Sequence, residues 1–440
     1  MTKNPPLHDE TIELQRRIDE AGAAGGGRVD VAPGIHLVRP IELRAGVELH
    51  LEEGAVLLGS GDWRDYPDRP LRHCDSKACP RGRGSALIWA DEADGIAVTG
   101  PGKIDAGGAA FLRPADEHEL QWGYSLVRKG GFDESPPRVF LFAGCKGVRV
   151  DKLAVTGLPG GWGFWVHDCD DVLFNGVKIE ADVHCANNDG IHVNCSRDVA
   201  IRNCDITTGD DAIVIRANSR SLRENRPCER VEVEDCSLRS WSSGIRIGWA
   251  NDGVIRDCRF SRIDMRDTTY GIAMELPNRT LIPSDYGREA TSIHDLVFED
   301  IEMDGIYAHP LFCSISNDPS TLCTGVGDIS FRNIRALSLE PPFIKGRAET
   351  PFRRFSFKNC SFALADDERL PHSDRHGAAS KGRHHGGAFE FTEGFAFNAE
   401  LPFLYGAQYY RAPAPPRGWL EPPCSSAARK RRCGHGELQE

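Results

Sequence analysis

The feature that most constrains this chain is a short phrase, repeated five times, in which a turn leads into alternating apolar residues. Two copies, Asp189–Asn194 and Asp211–Arg216, begin with an acidic turn and start 22 residues apart. The five copies are WGFWVH at 162–167, DGIHVN at 189–194, DAIVIR at 211–216, SGIRIG at 243–248 and YGIAME at 270–275. Alternate side chains of a strand leave by opposite faces, so each copy predicts a short strand with one buried face.

Strand parity sorts the side chains of the five copies into columns. The apolar column, which is expected to stack inside, is Phe164, Ile191, Ile213, Ile245 and Ile272. The first outward column is Trp165, His192, Val214, Arg246 and Ala273, and the second is His167, Asn194, Arg216, Gly248 and Glu275. The mouths of the turns carry Trp162, Asp189, Asp211, Ser243 and Tyr270. If successive copies lie on successive coils, Asp189 comes within roughly 5 Å of the Asp210–Asp211 pair, the spacing of neighbouring strands.

A second apolar phrase recurs along the chain with a loose period. Its copies begin at Val148, Val172, Val199, Val231, Val254, Leu296, Ile329 and Phe355, between 23 and 42 residues apart. Periods of this length are typical of solenoids and propellers. Helical patterns between the strands and Asn-Gly hairpins are both missing, so the strands are expected to be parallel rather than βαβ or antiparallel. The pattern predicts an all-β protein, a single-stranded parallel β-helix.

The 440 residues divide by pattern into four parts. Residues 1–25 contain a short amphipathic helix, from Asp9 to about Ala24, that is expected to cap the solenoid, and residues 26–365 form the β-helix catalytic domain. Residues 366–412 are an irregular segment that could dock on the solenoid, and the basic tail 413–440 is expected to be disordered.

Composition excludes several classes of partner. The formal charge of −12 argues against nucleic-acid binding, and no apolar run approaches the length needed to span a membrane. The first residues, MTKNPPLHDE, contain no apolar signal region, so the chain as written is expected to be cytoplasmic, with secretion possible if this N-terminus is incomplete. A monomer and an oligomer are both compatible with the sequence.

Several of the fifteen cysteines fall at one position of the second phrase. Cys204, Cys236, Cys258 and Cys360 close the phrase where Ile301 and Ile334 close other copies. Interchange with isoleucine indicates a buried apolar position, and no CxxC spacing is present, so these thiols are interpreted as structural rather than as metal ligands. No metal or cofactor is predicted.

Three aspartates on adjacent coils suit acid/base chemistry. Crowded carboxylates force one of their number to keep a proton at neutral pH, and such a site titrates as a coupled group. It can protonate a glycosidic oxygen and deprotonate a water molecule. Asp189, Asp210 and Asp211 could instead be simple turn residues. The aromatic and basic side chains around them favour a functional cleft.

The acidic turns resemble motifs of a known family. Asn187-Asn188-Asp189-Gly190 and Gly209-Asp210-Asp211-Ala212 are similar to the Asn-Thr-Asp and Gly-Asp-Asp motifs of glycoside hydrolase family 28, the polygalacturonases. The resemblance implies a right-handed parallel β-helix and inverting hydrolysis of a pectin-related or other plant glycan. By position, Asp210 would be the general acid, and Asp189 and Asp211 would activate water. Coil spacing near 5 Å would by itself suggest retention, so inversion rests on the resemblance.

The chain departs from the family at two sites. The Gly-His-Gly motif is here Ser242-Ser243-Gly244, and the Arg-Ile-Lys motif that holds the uronate carboxylate is Ala273-Met274-Glu275. Uronate recognition is therefore expected to be altered. Arg246 and Arg216 could grip a carboxylate or neutralise Glu275, and His192 could replace the missing imidazole. The expected substrate-binding residues are Asn188, His192, Arg216, Arg246, Trp162, Trp165, Tyr270 and Glu275.

Other interpretations stay open at this stage. Trp162, Trp165, Trp241 and Trp249 are interpreted as exposed rings that could stack on sugars, with some of them expected to be packing residues. A catalytically silent carbohydrate-binding β-helix, or a polysaccharide lyase or epimerase, would use the same fold. The loops Arg64–Gly84, Phe111–Pro137 and Asn278–Arg288 are expected to close the ends of the cleft and to decide between endo and exo action. The identity of the sugar does not follow from the sequence.

Overall fold

The structure, a computed structural model, describes residues 8–78, 84–116, 119, 124–129, 137–250, 252–276, 290–318 and 321–365. It also describes the backbone of four short strands between residues 388 and 412. The predicted loop Asn278–Arg288, the predicted tail 413–440 and most of the segment 366–412 lie outside the described residues. No helix in the described ranges is long and apolar enough to cross a membrane.

One α-helix and thirty-four strands make up the described fold. The helix α1 is Thr11–Ala23, and short 3-10 helices span Trp63–Asp65, Ser76–Ala78 and Gly108–Ala110. The first strands are β1 (Gly27–Val31), β2 (Gly34–Val38), β3 (Ile41–Glu42), β4 (Val47–Leu51), β5 (Ala55–Gly59), β6 (Ala86–Asp91), β7 (Ala97–Thr99), β8 (Lys103–Asp105), β9 (Leu112–Pro114), β10 (Leu126–Arg128), β11 (Arg138–Ala143), β12 (Lys146–Asp151), β13 (Ala154–Thr156), β14 (Phe164–His167), β15 (Asp170–Asn175), β16 (Lys178–Glu180) and β17 (Ile191–Asn194). The remaining strands are β18 (Arg197–Arg202), β19 (Asp205–Thr208), β20 (Ile213–Arg216), β21 (Cys228–Ser240), β22 (Ser243–Ile247), β23 (Val254–Thr268), β24 (Tyr270–Leu276), β25 (Thr291–Ile306), β26 (Leu311–Ile315), β27 (Cys323–Ser338), β28 (Phe343–Lys345), β29 (Phe352–Lys358), β30 (Ser361–Ala365), β31 (Ala388–Glu390), β32 (Thr392–Glu393), β33 (Ala396–Phe397) and β34 (Tyr410–Ala412).

The strands coil as the repeats predict. An eleven-stranded sheet runs β3-β6-β11-β14-β17-β20-β22-β24-β26-β28-β31, and the other strands of the coils form a sheet of twenty-one. Neighbouring strands pair in parallel throughout both sheets, and only the small β9–β10 pair is antiparallel among the named strands. The predicted parallel β-helix with an N-terminal helix is confirmed.

Left-handed residues bend the chain at one position of the coils in the larger sheet, either between two short strands or within one long strand. Asn203, Asp235, Asp300, Asn333 and Asn359 all have φ between 53° and 55°. Asparagine and aspartate tolerate this conformation better than other residues with a Cβ. The side chains also form ladders, since the amide of Asn333 donates to Asp300 at 2.7 Å and that of Asn359 to Asn333 at 2.8 Å. Bends at the same position of each coil keep successive coils in register.

The interior is a continuous apolar column. Phe260, Phe298, Phe331 and Phe357 stack with ring centroids 4.7, 5.1 and 4.9 Å apart. The second phrase was assigned wrongly in one copy, because Cys258, rather than Val254, pairs with Leu296 and so begins that copy. Cys258 therefore does not share the position of Ile301. The interpretation of these cysteines as buried core residues holds, since Cys204, Cys236, Cys258 and Cys360 are all buried.

Helix α1 covers the first coil. Leu14 and Ile18 join the core, and the Gln15 side chain both donates to the carbonyl of Glu42 and accepts from its amide, each at 2.9 Å. Arg17 donates to the carbonyl of Asp30 at 2.7 Å. Polar groups at the edge of the first coil are thus satisfied by helix side chains.

Candidate active site

The eleven-stranded sheet sets the register of the site. Trp165 pairs with His192, His192 with Val214, Val214 with Arg246 and Arg246 with Ala273, so the predicted first outward column is confirmed. The predicted inward column is fully buried. The side chains of this outward column therefore lie on one outer surface of the solenoid.

The aspartates lie at the start of two neighbouring strands. Asp189 lies two residues before Ile191, and Asp211 lies two residues before Ile213; these isoleucines pair across neighbouring strands. The amide of Gly190 also donates to the carbonyl of Asp211 at 3.0 Å. Their coils are therefore separated by one strand spacing, roughly 5 Å. The two residues are 5% and 6% exposed. Asp210, partly exposed, precedes Asp211 on the same turn.

Asp210 is held by the turn that carries Asp189. One carboxylate oxygen accepts from the amide of Asn187 at 2.9 Å and from its side chain at 3.1 Å, and the other accepts from the amide of Asp211 at 3.1 Å. Burial, and then the neighbouring charge of Asp211, raise the pKa of Asp210 above its usual value, although the Asn187 donors oppose this rise. Burial and the neighbouring charge therefore favour the protonated form of Asp210.

Asp211 is surrounded by donors. One oxygen accepts from the Ser242 hydroxyl at 2.8 Å and the Ser243 amide at 3.0 Å, and the other accepts from Arg246 Nε at 2.5 Å. These three donors fix the position of the Asp211 carboxylate. Sequence reasoning noted Ser242 and Ser243 only as the place of a lost histidine and did not consider Asn187 as a ligand of Asp210.

Arg246 lies between Asp211 and Glu275, the acid that stands where the resembled family has a cation. Its guanidinium lies 3.4 Å from Glu275 Oε2 and 4.8 Å from the ring centroid of Trp249. Burial alone would lower the pKa of Arg246, but the charges of Asp211 and Glu275 outweigh it and raise the pKa. Burial raises the pKa of Glu275, and Arg246 opposes that rise. The alternative in which Arg246 neutralises Glu275 matches this geometry.

Arg216 has a different partner from the one expected. Its Nε lies 2.7 Å from Asp252 Oδ2, and its terminal nitrogen donates to the carbonyl of Ala250 at 2.9 Å. The alternative in which Arg216 neutralises Glu275 is therefore wrong, because Arg216 pairs with the buried carboxylate of Asp252 instead. This ion pair fixes the loop after β22 rather than the acid cluster.

The tryptophans are less exposed than predicted. Trp165 is 0% exposed, because its ring lies 4.3 Å from the Arg138 guanidinium and stacks on His167 at 4.5 Å. The prediction that Trp165 contacts substrate is wrong. Trp162 and Trp241 are also buried, so the prediction that they are exposed is wrong, and Trp249 is partly exposed.

The other predicted binding residues divide between the floor of the site and its support. His192 stacks on Trp162 with centroids 4.0 Å apart, and its Nδ1 lies 3.6 Å from Asp189. Tyr270 occupies the same turn position as Trp162, four coils further along the solenoid. Its ring stacks on that of His309. Asn188 is fully buried and accepts from the Gly160 amide at 2.8 Å, so its predicted contact with substrate is wrong and its role is to hold the turn.

Metal ligation has no candidate in the described part of the chain. No three His, Cys, Asp or Glu side chains there are grouped so that they could hold a metal ion. The chemistry that the cluster itself can perform is proton transfer between carboxyls and a ligand at the outer surface of β17, β20 and β22.

Comparison with known proteins points to one family. Residues 76–225 match the sequence model described as Glycosyl hydrolases family 28. An endo-polygalacturonase of Pectobacterium carotovorum subsp. carotovorum is 22% identical over 324 residues, which cover 66% of this chain and 77% of that protein.

Solved structures with the same fold include two exopolygalacturonases. The exopolygalacturonase of Thermotoga maritima has a TM-score of 0.63 at 17% identity and covers 89% of both chains. The family 28 exopolygalacturonase of Yersinia enterocolitica has a TM-score of 0.60 at 16% identity and covers 91% of this chain and 77% of that one. The sequence matches identify the chain as a glycoside hydrolase. Over residues 76–225 it is similar to family 28, and the low identities to the polygalacturonases fit a divergent relative of that family.

Proposed function

We propose that the protein hydrolyses O-glycosidic bonds of a pectin-related glycan, with inversion, through Asp189, Asp210 and Asp211. The relatives named above are polygalacturonases, which supports a substrate of this class. The observation that carries the mechanism is the unequal environment of two adjacent carboxyls. Asp210 is favoured in its protonated form, whereas Asp211 binds a serine hydroxyl, an amide and an arginine.

The proposed step moves two protons. Asp210 donates its proton to the glycosidic oxygen as the bond from that oxygen to the anomeric carbon breaks. A water molecule attacks the anomeric carbon from the opposite face and gives its proton to the pair formed by Asp189 and Asp211. Ser242, Ser243 and Arg246 hold Asp211 in place.

Glu275 supports an altered recognition of the sugar. The resemblance to the family expects a cation here, and the arginine nearest to Glu275 is already bound to Asp211. An ionised uronate carboxylate at this position would be repelled by Glu275, and Arg246 is already paired with Asp211 and Glu275. We therefore expect the sugar beside Glu275 to be neutral or esterified, with the carboxyl of Glu275 bonded to its hydroxyl groups.

Reducing-end release from a matched pair of substrates tests the proposal. Oligogalacturonides and their methyl-esterified forms are incubated with the protein, and we expect faster release from the esterified set. Proton NMR of the first product should show the anomer opposite to that of the bond cleaved. Binding without release would favour a non-catalytic β-helix, and unsaturated products that absorb in the ultraviolet would favour a lyase.

Replacing Asn187 by glycine is expected to move the alkaline limb of the pH profile of kcat/KM to higher pH by about one unit. The reason is that the Asn187 side chain donates to the ionised form of Asp210, so its loss raises the pKa of Asp210 further. Because the acid acts when protonated, activity then persists to higher pH. Glycine tolerates the φ of 60° at this position.

Asn203→Gly is the matched control for this variant. Asn203 has a φ of 55°, and its side chain donates to Asn175 at 2.8 Å, far from the acids along the coil. Its pH profile should equal that of the unmodified protein. If the alkaline limb of the Asn187→Gly variant does not move, Asp210 is not the group whose titration produces that limb.

A further inference from the structure

We propose that the cleft is closed on the side of the earlier coils, so that the enzyme removes short products from one end of its substrate chain. This inference rests on the proposed function and adds the mode of attack. It is drawn from residues 61–78, here called the covering segment, and from the unequal exposure of one column of side chains.

The covering segment packs on the outer face of the early coils. Leu71 and Cys74 form one apolar cluster with Trp89 of β6, Leu141 of β11 and Trp165 of β14. All five are buried. In a cleft open along its whole length, the outward side chains of β6, β11 and β14 would form the floor, but here they are the interior of a contact between the segment and the sheet.

Hydrogen bonds fix the covering segment across three coils. The amides of Arg72 and His73 donate to the Asp91 carboxylate at 2.6 and 3.2 Å. His73 Nε2 lies 2.7 Å from Asp168 Oδ2, and the amide of Asp75 donates to the carbonyl of Ser221 at 2.9 Å. These bonds join the segment to β6, to the turn after β14 and to the loop after β20. The segment is therefore an integral wall of the site.

The fit beneath His73 is close. Gly144 lies directly under its ring, where an added Cβ would stand 2.2 Å from His73 Nδ1. Only a residue without a side chain permits this approach, and the φ of 60° at Gly144 also suits glycine. The packing leaves no room for a sugar between the covering segment and β11.

The second outward column shows the asymmetry along the solenoid. Up to the coil of Asp211 it consists of Asp91, Ala143, His167, Asn194 and Arg216, all buried, and Gly248 on the next coil is buried as well. On the later coils Glu275, Ser314 and Lys345 continue the same face in register, and all three are partly exposed. A glycan that reaches the acids can therefore extend over the later coils and not over the earlier ones.

The wall stands close to the acids. Trp162 belongs to the same apolar cluster as Leu71 and Cys74 of the covering segment, and its coil lies directly before that of Asp189. From Asp211 to that coil is two strand spacings, roughly 10 Å, which admits about one or two sugar residues beyond the bond to be cleaved. The product released on this side is therefore a monosaccharide or a disaccharide.

The test compares viscosity with reducing ends during digestion of partially methyl-esterified pectin. End-wise attack predicts reducing ends that accumulate while viscosity falls slowly, with mass spectra showing mono- and disaccharides from the start. An early loss of viscosity with a ladder of long products would overturn the closed cleft and leave the proposed function standing. No release of reducing ends would overturn the proposed function itself, and this inference with it.

A variant that loosens the wall gives a second measurement. In Arg72→Ala/His73→Ala, the side-chain bonds to the Asp91 carbonyl and Asp168 are lost, and we expect viscosity loss per reducing end to rise about threefold or more. Arg64→Ala is the matched control, because Arg64 lies in the same segment, is largely exposed and pairs with Asp62. An unchanged ratio in a folded double variant would argue against the segment as the wall.

Discussion

Replacement of Asp210 by asparagine is expected to lower kcat by about 10²- to 10⁴-fold, the usual worth of a positioned general acid. Asparagine keeps the shape of the side chain and its hydrogen bonding to Asn187, but it has no acidic proton to give to the leaving oxygen. The melting temperature should change little. Reducing-end release at saturating substrate measures the loss.

Asp205→Asn serves as the matched control, since Asp205 is an exposed aspartate at the start of β19 on the same coil as Asp210. It should keep full activity. A fully active Asp210→Asn protein would exclude Asp210 as the acid and would move attention to Glu275, the other carboxyl near Arg246 whose pKa is raised by burial.

Replacement of Arg246 by methionine is expected to lower the free energy of unfolding by about 3–5 kcal/mol at neutral pH, the usual cost of breaking a buried ion pair. The substitution leaves Asp211 and Glu275 without their shared cation in a buried site. Because both carboxyls are uncharged once protonated, the loss should shrink as the pH falls. Urea unfolding at several pH values measures it.

Two further variants separate charge from packing. Adding Glu275→Gln to Arg246→Met removes one of the two stranded charges and should recover part of the stability. Arg259→Met removes a surface cation that pairs with Glu299, and exposed pairs of this kind contribute about 1 kcal/mol or less. Equal losses in the Arg246 and Arg259 variants would contradict the buried bridge.

The sequence was most informative where a repeat imposed a period. Parity alone assigned the inward isoleucines and the outward His192 and Arg246, because a one-residue slip would have turned every apolar side chain to the outside. The same reasoning placed Asp189 and Asp211 on neighbouring coils. Each of these predictions depends only on the strand spacing and the alternation of faces.

Parity could not tell which outward side chains are covered. Trp165 points away from the interior as predicted, yet it is buried, because the covering segment has no period from which its path could be read. The partners of Asp210 and Asp211 were missed for a related reason. Asn187 and Ser242 lie in turns, where a hydrogen bond depends on local geometry rather than on a repeated pattern.

Helix α1 has a consequence for how the molecule meets its own copies. Its Gln15 side chain occupies the amide and the carbonyl of Glu42, and Arg17 occupies the carbonyl of Asp30. A first coil stripped of the helix would offer these groups to the last coil of another molecule, in the geometry that already joins one coil to the next. We therefore expect the helix to block head-to-tail pairing between the coils of different molecules.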